Sequence, residues 1–281
     1  MRRVVFAAGA VLVAALSAVA YGAAETPPPQ HYPFSFETPT GSYDMGAVQR
    51  GFQIYSQVCS NCHSMDHLAY RHLGEEGGPF ALYRVRNEHT GEEELHIGKP
   101  EHGGTFVPVT DNPYVRAIAA NVQIPDIDPN SGQPADRAGR ISDHFRRPFP
   151  NEIAARASNG GALPPDLSVI TTARHGGAEY VRSVLMGYDG HTYGTLYGNH
   201  YFPGGRIAMP PPLAEGLVSY TDGSPTTVAQ YATDVATFLQ WASDPHMEAR
   251  KQTGLVVLAF LLVLAGLMYL AYKAVWKGES H

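Results

Sequence analysis

Residues 59–63 read Cys59-Ser60-Asn61-Cys62-His63, and the chain of 281 residues holds no other cysteine. A Cys-x-x-Cys-His string is the attachment signal for a c-type haem. Two thiols at this spacing form thioethers with the two vinyl groups on one porphyrin edge, and the adjacent His reaches the iron from the proximal face through Nε2. A redox-active disulfide beside an incidental His is the alternative reading. The segment before the string places Val48, Phe52 and Tyr55 at spacings of three and four, which predicts a helix delivering the cysteines to the haem edge. An ordinary amphipathic core helix has the same pattern.

Export decides between these readings, and the two ends of the chain bear on it. Arg2 and Arg3 precede an apolar run, Val4 to Val19, followed by small residues and Thr26-Pro27-Pro28-Pro29. This is the pattern of a cleaved signal peptide, with an uncleaved anchor as the alternative. At the other end, residues 254–275 are apolar on every face and carry no charge before Lys273. About 20 such residues span a bilayer core as a helix. Basic residues flank both ends of the span, so charge bias leaves its orientation open. The leader implies that the globular part is exported and that only the last residues return to the cytoplasmic side. A formal net charge of −6 provides no broad basic field, and nucleic acid is not an expected partner. With 29 glycines and 22 prolines, the chain suits a loop-rich globule better than a regular bundle.

The sixth iron ligand is open to His, Met or neither. Met65 is too close to His63 to reach the opposite face, and Met45 lies on the same side of the attachment. Met247 and Met268 belong to the anchor, and Met186 stays possible. Met209 sits in Phe202-Pro203-Gly204-Gly205-Arg206-Ile207-Ala208-Met209-Pro210-Pro211-Pro212. Such a segment resists helix and strand, so it suits a loop held over a haem face. Thioethers complete haem sites of raised potential. With 13 histidines in the chain, bis-His ligation is the alternative.

Several separated strings resemble one family. They are CSNCHSMDHLAYRHL from Cys59, FPNEIAARASNGGALPPDLS from Phe149, RHGGAEY from Arg174, NHYFPGGRIAMPPPL from Asn199 and DVATFLQWASDPHMEARKQTGL from Asp234. Their order, their spacing and the terminal span resemble the cytochrome c1 family, the haem-bearing subunits of quinol–cytochrome c reductase, over most of residues 43–275. The resemblance implies His63 as proximal and Met209 as distal ligand, and Arg174 as the partner of a haem propionate. It also places Asn159, Ala162, Pro164, Pro165 and Tyr180 near the haem. A buried propionate needs a paired charge, and Arg offers a planar fork of donors. The work implied is one-electron relay from a Rieske iron–sulfur protein, through haem c held by Cys59 and Cys62, to a cytochrome c acceptor. Cytochrome b and a dimeric multi-subunit complex in a bacterial cell membrane are the implied surroundings, with the haem domain periplasmic.

Two departures from the family pattern stand out. Residues 74–113 look like an insertion with a β-hairpin, and the extra disulfide of some bacterial relatives has no cysteines here. Tyr201, Phe202 and the prolines are then expected to hold the Met209 loop. Glu75, Glu76, Glu92, Glu93, Glu94 and Glu101 are candidates for steering a basic acceptor, with solvated surface charge as the simpler account. The expected architecture is mainly α: a cytochrome c-like haem domain with long loops and insertions, plus one C-terminal transmembrane helix. A second helix is predicted from Pro225 or Thr226 to Ala242, capped by Ser224 or Thr226, packing across the first. The expected divisions are a signal peptide (1–24), a Pro-rich segment extended over the surface (25–42), the haem domain (43–243), a linker (244–253), the membrane helix (254–276) and a tail (277–281). Rival functions are a haem subunit of an oxidase or another dehydrogenase, an electron shuttle working alone, and a haem sensor with an open iron position.

Overall fold

The computed structural model describes residues 26–87, 90–98, 100 and 103–277. The expected signal peptide, Glu101 and all of the expected tail but Lys277 lie outside the described residues.

Two crossed helices organise the core. Helix α1 (Met45–Gln57) begins where the Asp44 side chain accepts the N–H of Ala47 at 3.1 Å, an N-cap that satisfies one of the orphan donors of the first turn. Its Val48, Phe52 and Tyr55 are all buried, as the spacing predicted. Four shorter helices follow: α2 (Pro113–Ala120), α3 (Glu152–Ser158), α4 (Ile170–Ala173) and α5 (Gly177–Met186). Helix α6 (Val228–Ser243) starts two to three residues later than predicted. Its cap is Thr227, whose hydroxyl accepts the N–H of Gln230 at 3.2 Å.

Helix α6 packs across α1 through an aromatic cluster, with Phe238 5.7 Å from the rings of both Phe52 and Tyr55. Burying each such side chain stabilises the fold by about 1.5–3 kcal/mol. The crossing is tight because residue 51 is Gly: a Cβ there would lie 2.1 Å from the Asp234 carbonyl oxygen. One buried charge sits at the same crossing. The Asp234 carboxylate accepts Nε and Nη2 of Arg50, each at 3.0 Å, the Tyr220 hydroxyl at 2.9 Å and the Gln230 amide at 3.0 Å. Four donors satisfy an anion that would be costly alone.

The mainly α expectation holds for this core, but three small antiparallel sheets surround it. The 74–113 insertion contains β1 (Leu82–Arg86), β2 (Glu93–Ile97) and β3 (Thr105–Val107) in the order β2-β1-β3, which includes the expected hairpin. A second hairpin, β4 (Gln123–Ile127) with β5 (Pro134–Ala138), was not expected. Its polar, mostly exposed strands carry little hydrophobic alternation to read. The third sheet joins β6 (Tyr188–Tyr193), β7 (Leu196–Asn199) and β8 (Arg206–Ile207).

The Pro-rich segment is more than a surface strand. Phe34 and Phe36 are buried in the main core and stack on each other with centroids 4.9 Å apart. Upstream, the Glu179 carboxylate takes the N–H of Tyr32 at 3.0 Å, and the Arg182 guanidinium lies 4.4 Å from the Tyr32 ring centroid. The expected linker is also largely helical, because α7 (Met247–Val275) starts well before the apolar span. Its first turns are docked rather than free. Glu248 accepts the Tyr43 N–H at 2.8 Å, and the Lys251 ammonium donates to the carbonyls of Phe36, Thr38 and Gly41 at 2.5, 2.8 and 3.2 Å. The rest of α7 is exposed, with a mean hydropathy of 2.6 over its most apolar stretch. At 1.5 Å per residue it is about 43 Å long, enough to cross a bilayer.

Candidate haem site

The proximal half of the site is local in sequence. Helix α1 ends at Gln57, and Cys59–Asn61 form one 3₁₀ turn. The N–H groups of Cys62 and His63 both donate to the Cys59 carbonyl, at 3.1 and 2.9 Å. This winding keeps two free thiols and an imidazole on one short turn, with Cys59 half-buried and Cys62 exposed. Burial pushes the Cys59 thiol up to about 12, and the neighbouring Cys62 adds to it.

His63 is oriented from outside this turn. Its Nδ1–H donates to the Pro165 carbonyl at 2.8 Å, and the Tyr55 hydroxyl donates to the His63 carbonyl at 3.3 Å. A bond at Nδ1 sets the tautomer that leaves the Nε2 lone pair available. Burial lowers the imidazole pKa despite the pull of Pro165 and Asp166, which favours this neutral form.

Pro165 is held in turn by a polar seam. Asp166 accepts the Ser64 hydroxyl at 2.7 Å, the Asp66 N–H at 2.8 Å and the Ser168 N–H at 2.8 Å. Leu167 N–H donates to Ser64 O at 2.9 Å, and His67 N–H to the Ser168 hydroxyl at 3.1 Å. Burial alone would raise the Asp166 carboxyl, but the donors from Ser168, Asp66 and Ser64 outweigh it and hold the group below its ordinary value. Asp166 was not singled out in the sequence, although an Asp two residues before a Ser is an Asx-turn signal.

The same loop carries most of the other expected residues. Asn159 caps α3, and its side-chain amide donates to Ala155 O at 2.7 Å. Ala162 N–H returns to Asn159 O at 3.1 Å, and Ala162 and Pro164 are half-buried. The chain then passes through α4, whose C-cap is Arg174, into α5, which bears Tyr180. The Arg174 side chain is exposed, and no ion pair among the described residues engages it. Burial raises the Tyr180 phenol, and the charge of nearby Arg174 partly opposes this.

Met209, the expected distal ligand, lies on a separate part of the chain. It is half-buried and lies two residues beyond β8. Tyr201 and Phe202 contribute differently from the expectation: their backbone N–H groups donate to Asn199 Oδ1 at 3.1 and 3.2 Å. Asn199 is buried and donates to Val184 O, at the end of α5, at 2.7 Å. Tyr188, also not singled out in the sequence, donates its hydroxyl to Met209 O at 3.0 Å. Among the described residues no hydrogen bond joins Met209 to His63, Arg174 or Tyr180. Of the other methionines, Met65 and Met247 are buried in the core and Met186 is exposed.

The donor set fits a haem c. Among the described residues it offers two free cysteines two positions apart, an imidazole bonded through Nδ1, a thioether on a separate loop, and an exposed guanidinium without an ion pair. The acidic candidates are partly engaged elsewhere: Glu75 pairs with Arg71 at 3.4 Å, Glu93 with Arg84 at 3.3 Å and Glu94 with His96 at 3.6 Å.

Comparison with known proteins identifies the family. The profile of the cytochrome c1 family matches residues 34–279. The chain is 41% identical over 300 aligned positions to a Bradyrhizobium diazoefficiens protein named cytochrome b/c1, covering 98% of this chain but 39% of that longer protein. It is 40% identical over 247 positions to the mitochondrial cytochrome c1-2 haem protein of Solanum tuberosum, covering 86% and 82% of the two chains. Against cytochrome c1 of Rhodospirillum rubrum the identity is 36% over 262 positions, covering 86% and 85%. The chain therefore belongs to the cytochrome c1 family, whose members are the haem-bearing electron-transfer subunits of the bc1 complex.

Proposed function

We propose that this chain relays single electrons from the Rieske iron–sulfur protein to a cytochrome c, within a quinol–cytochrome c reductase. The observation that carries the reading is the Nδ1 bond from His63 to Pro165 beside the two free thiols, because it leaves one imidazole nitrogen for a metal. When bound, haem c supplies a one-electron ferric/ferrous couple. Cys59 and Cys62 attach it, His63 and Met209 ligate it, and Arg174 neutralises a propionate that would otherwise be a costly charge. Asn159, Ala162, Pro164, Pro165 and Tyr180 line the ring and exclude water, which disfavours the more charged ferric state and raises the potential.

Around this site we propose the divisions given above: a cleaved leader (1–24), a haem domain on the periplasmic side of a bacterial cell membrane, and a single C-terminal span. The docked start of α7 makes the Pro-rich segment and the former linker part of the haem domain's support. Cytochrome b is the proposed membrane partner, in a dimeric complex. Glu76 and Glu92, with the partly paired Glu75, Glu93 and Glu94, form a weak steering field for a basic acceptor, and added salt should slow that encounter.

The test is optical and near-infrared spectroscopy of the purified haem-loaded chain, wild type and Met209→Leu. The expected result is a c-type spectrum with a methionine–iron charge-transfer band. The variant loses the band, and its potential falls by on the order of 0.1 V or more. An unchanged variant spectrum would remove Met209 as ligand and return bis-His ligation to first place.

A further inference from the structure

Met209 stands at the end of a weakly held segment. Strand β8 has two residues, pairing Ile207 with Tyr197 and Arg206 with Gly198, and so short a strand contributes little holding force. Pro210, Pro211 and Pro212 follow it and have no N–H with which to continue the pairing. Asn199 secures the root of the loop, ten positions before the methionine. At the methionine itself, the side-chain hydrogen bond among the described residues comes from the Tyr188 hydroxyl, 3.0 Å from Met209 O and 3.4 Å from Pro210 O.

Tyr188 is well placed to act as a fixed point. It is the first residue of β6 and follows Gly187, which ends α5. Gly187 is required there: a Cβ would lie 2.6 Å from the Tyr201 ring and 2.9 Å from Asn199 Oδ1. His200 N–H donates to Gly187 O at 2.9 Å, and Tyr188 pairs with Asn199 across β6 and β7. The phenol therefore projects from a backbone tied to both α5 and the loop root.

We propose that Tyr188 is the positioning residue for the distal ligand: its hydroxyl clamps the backbone carbonyl of Met209 and so sets how often the thioether leaves the iron. The proposal rests on the reading of Met209 as that ligand. A thioether is a weak ligand, and the bound position competes with a detached one. An external ligand binds only the detached form, so its apparent affinity scales with the detached fraction. Removing one well-placed hydrogen bond shifts such an equilibrium by up to roughly tenfold.

The experiment is a titration of the ferric, haem-loaded full chain in detergent with imidazole, at fixed pH. Wild type, Tyr188→Phe, Tyr197→Phe and Met209→Leu are compared. Tyr188→Phe removes one oxygen and keeps the ring. It should keep the near-infrared band but bind imidazole about tenfold more tightly. Tyr197→Phe, on the neighbouring strand, should match wild type. A merely structural role for Tyr188 would lower the melting temperature and leave imidazole affinity alone. Affinity for Tyr188→Phe within about twofold of wild type would overturn the proposal. So would a variant that fails to retain haem, because the role is confined to the distal side. If wild type lacks the band, or Met209→Leu binds imidazole no better than wild type, the ligand assignment itself falls and the proposal with it.

Discussion

His63 and Met209 are held by two different kinds of structure. On the His63 side, helix α1 runs directly into the Cys59–Asn61 turn, and the next two residues are the second thiol and the imidazole. Everything that must converge there is separated by a few bonds, and the 164–168 loop only fixes the ring. On the Met209 side, a methionine is carried on a sheet, a buried Asn and one tyrosine hydroxyl. The proximal half pays little conformational entropy to assemble, because its groups are neighbours along the chain. The distal half must close a long loop first. Ligand exchange is therefore expected on the Met209 side, with haem retained through the cysteines.

Four changes break or sharpen this comparison. The largest effect is expected from Cys62→Ala. It should remove most haem-stained protein from a denaturing gel, whereas Asn199→Ala should leave the stain intact. An Asn199→Ala protein without covalent haem would show that the two halves do not assemble separately.

Gly51→Ala comes next, because its Cβ must push α6 away from α1. The expected loss is about 2–3 kcal/mol in chemical denaturation. It reaches the proximal side through α1, so a stability equal to wild type would mean that the helix crossing does not support that side.

Asn199→Ala should lower stability by about 2 kcal/mol, since it takes the acceptor from the N–H groups of Tyr201 and Phe202 and leaves the Val184 carbonyl with only the Gly187 N–H. Its distinguishing effect is a weakened methionine–iron band; a full-strength band would mean that the loop root does not control the ligand.

The smallest effect belongs to the partly exposed ion pair that anchors the β4–β5 hairpin. Arg137 donates to Asp143 at 2.6 and 2.9 Å and holds its carboxyl down at about 2. Because the folded value lies below the unfolded one, this contribution is complete above about pH 4 and disappears as the pH falls toward about 2. Thermal melts of wild type and Asp143→Asn should differ slightly at about pH 5 and coincide near pH 2. A difference that grows in acid would reverse the sign of this linkage.

Reading the sequence reached unevenly into these regions. Helix α1, the attachment turn, the apolar span of α7 and most of α6 were legible because each rests on local spacing: three and four for a buried face, two between thiols, about 20 apolar residues for a bilayer. The hairpin within 74–113 was expected, but the sequence reading did not locate its turn, between Arg86 and Glu93. The β4–β5 hairpin was not legible, because exposed polar strands bear no burial signature. The helical start of the expected linker was not legible for a related reason: residues 248–253 are mostly polar, yet they belong to α7, where Glu248 and Lys251 find partners at Tyr43 and in the Pro-rich segment. Tyr188, Asn199 and Asp166 look like any Tyr, Asn or Asp along the chain.

What the sequence alone determined is which groups are available and where they stand along the chain: the two thiols beside an imidazole, the thioether among prolines and the apolar span are local facts, readable within a few turns. What only the tertiary structure decided is how those groups are held. The bond from His63 to Pro165, the carbonyl crown on Lys251 and the Tyr188 clamp on Met209 join residues 102, 215 and 21 positions apart. Directional bonds of this kind depend on ångström placement of groups brought together by the packed core, and no local pattern encodes that placement.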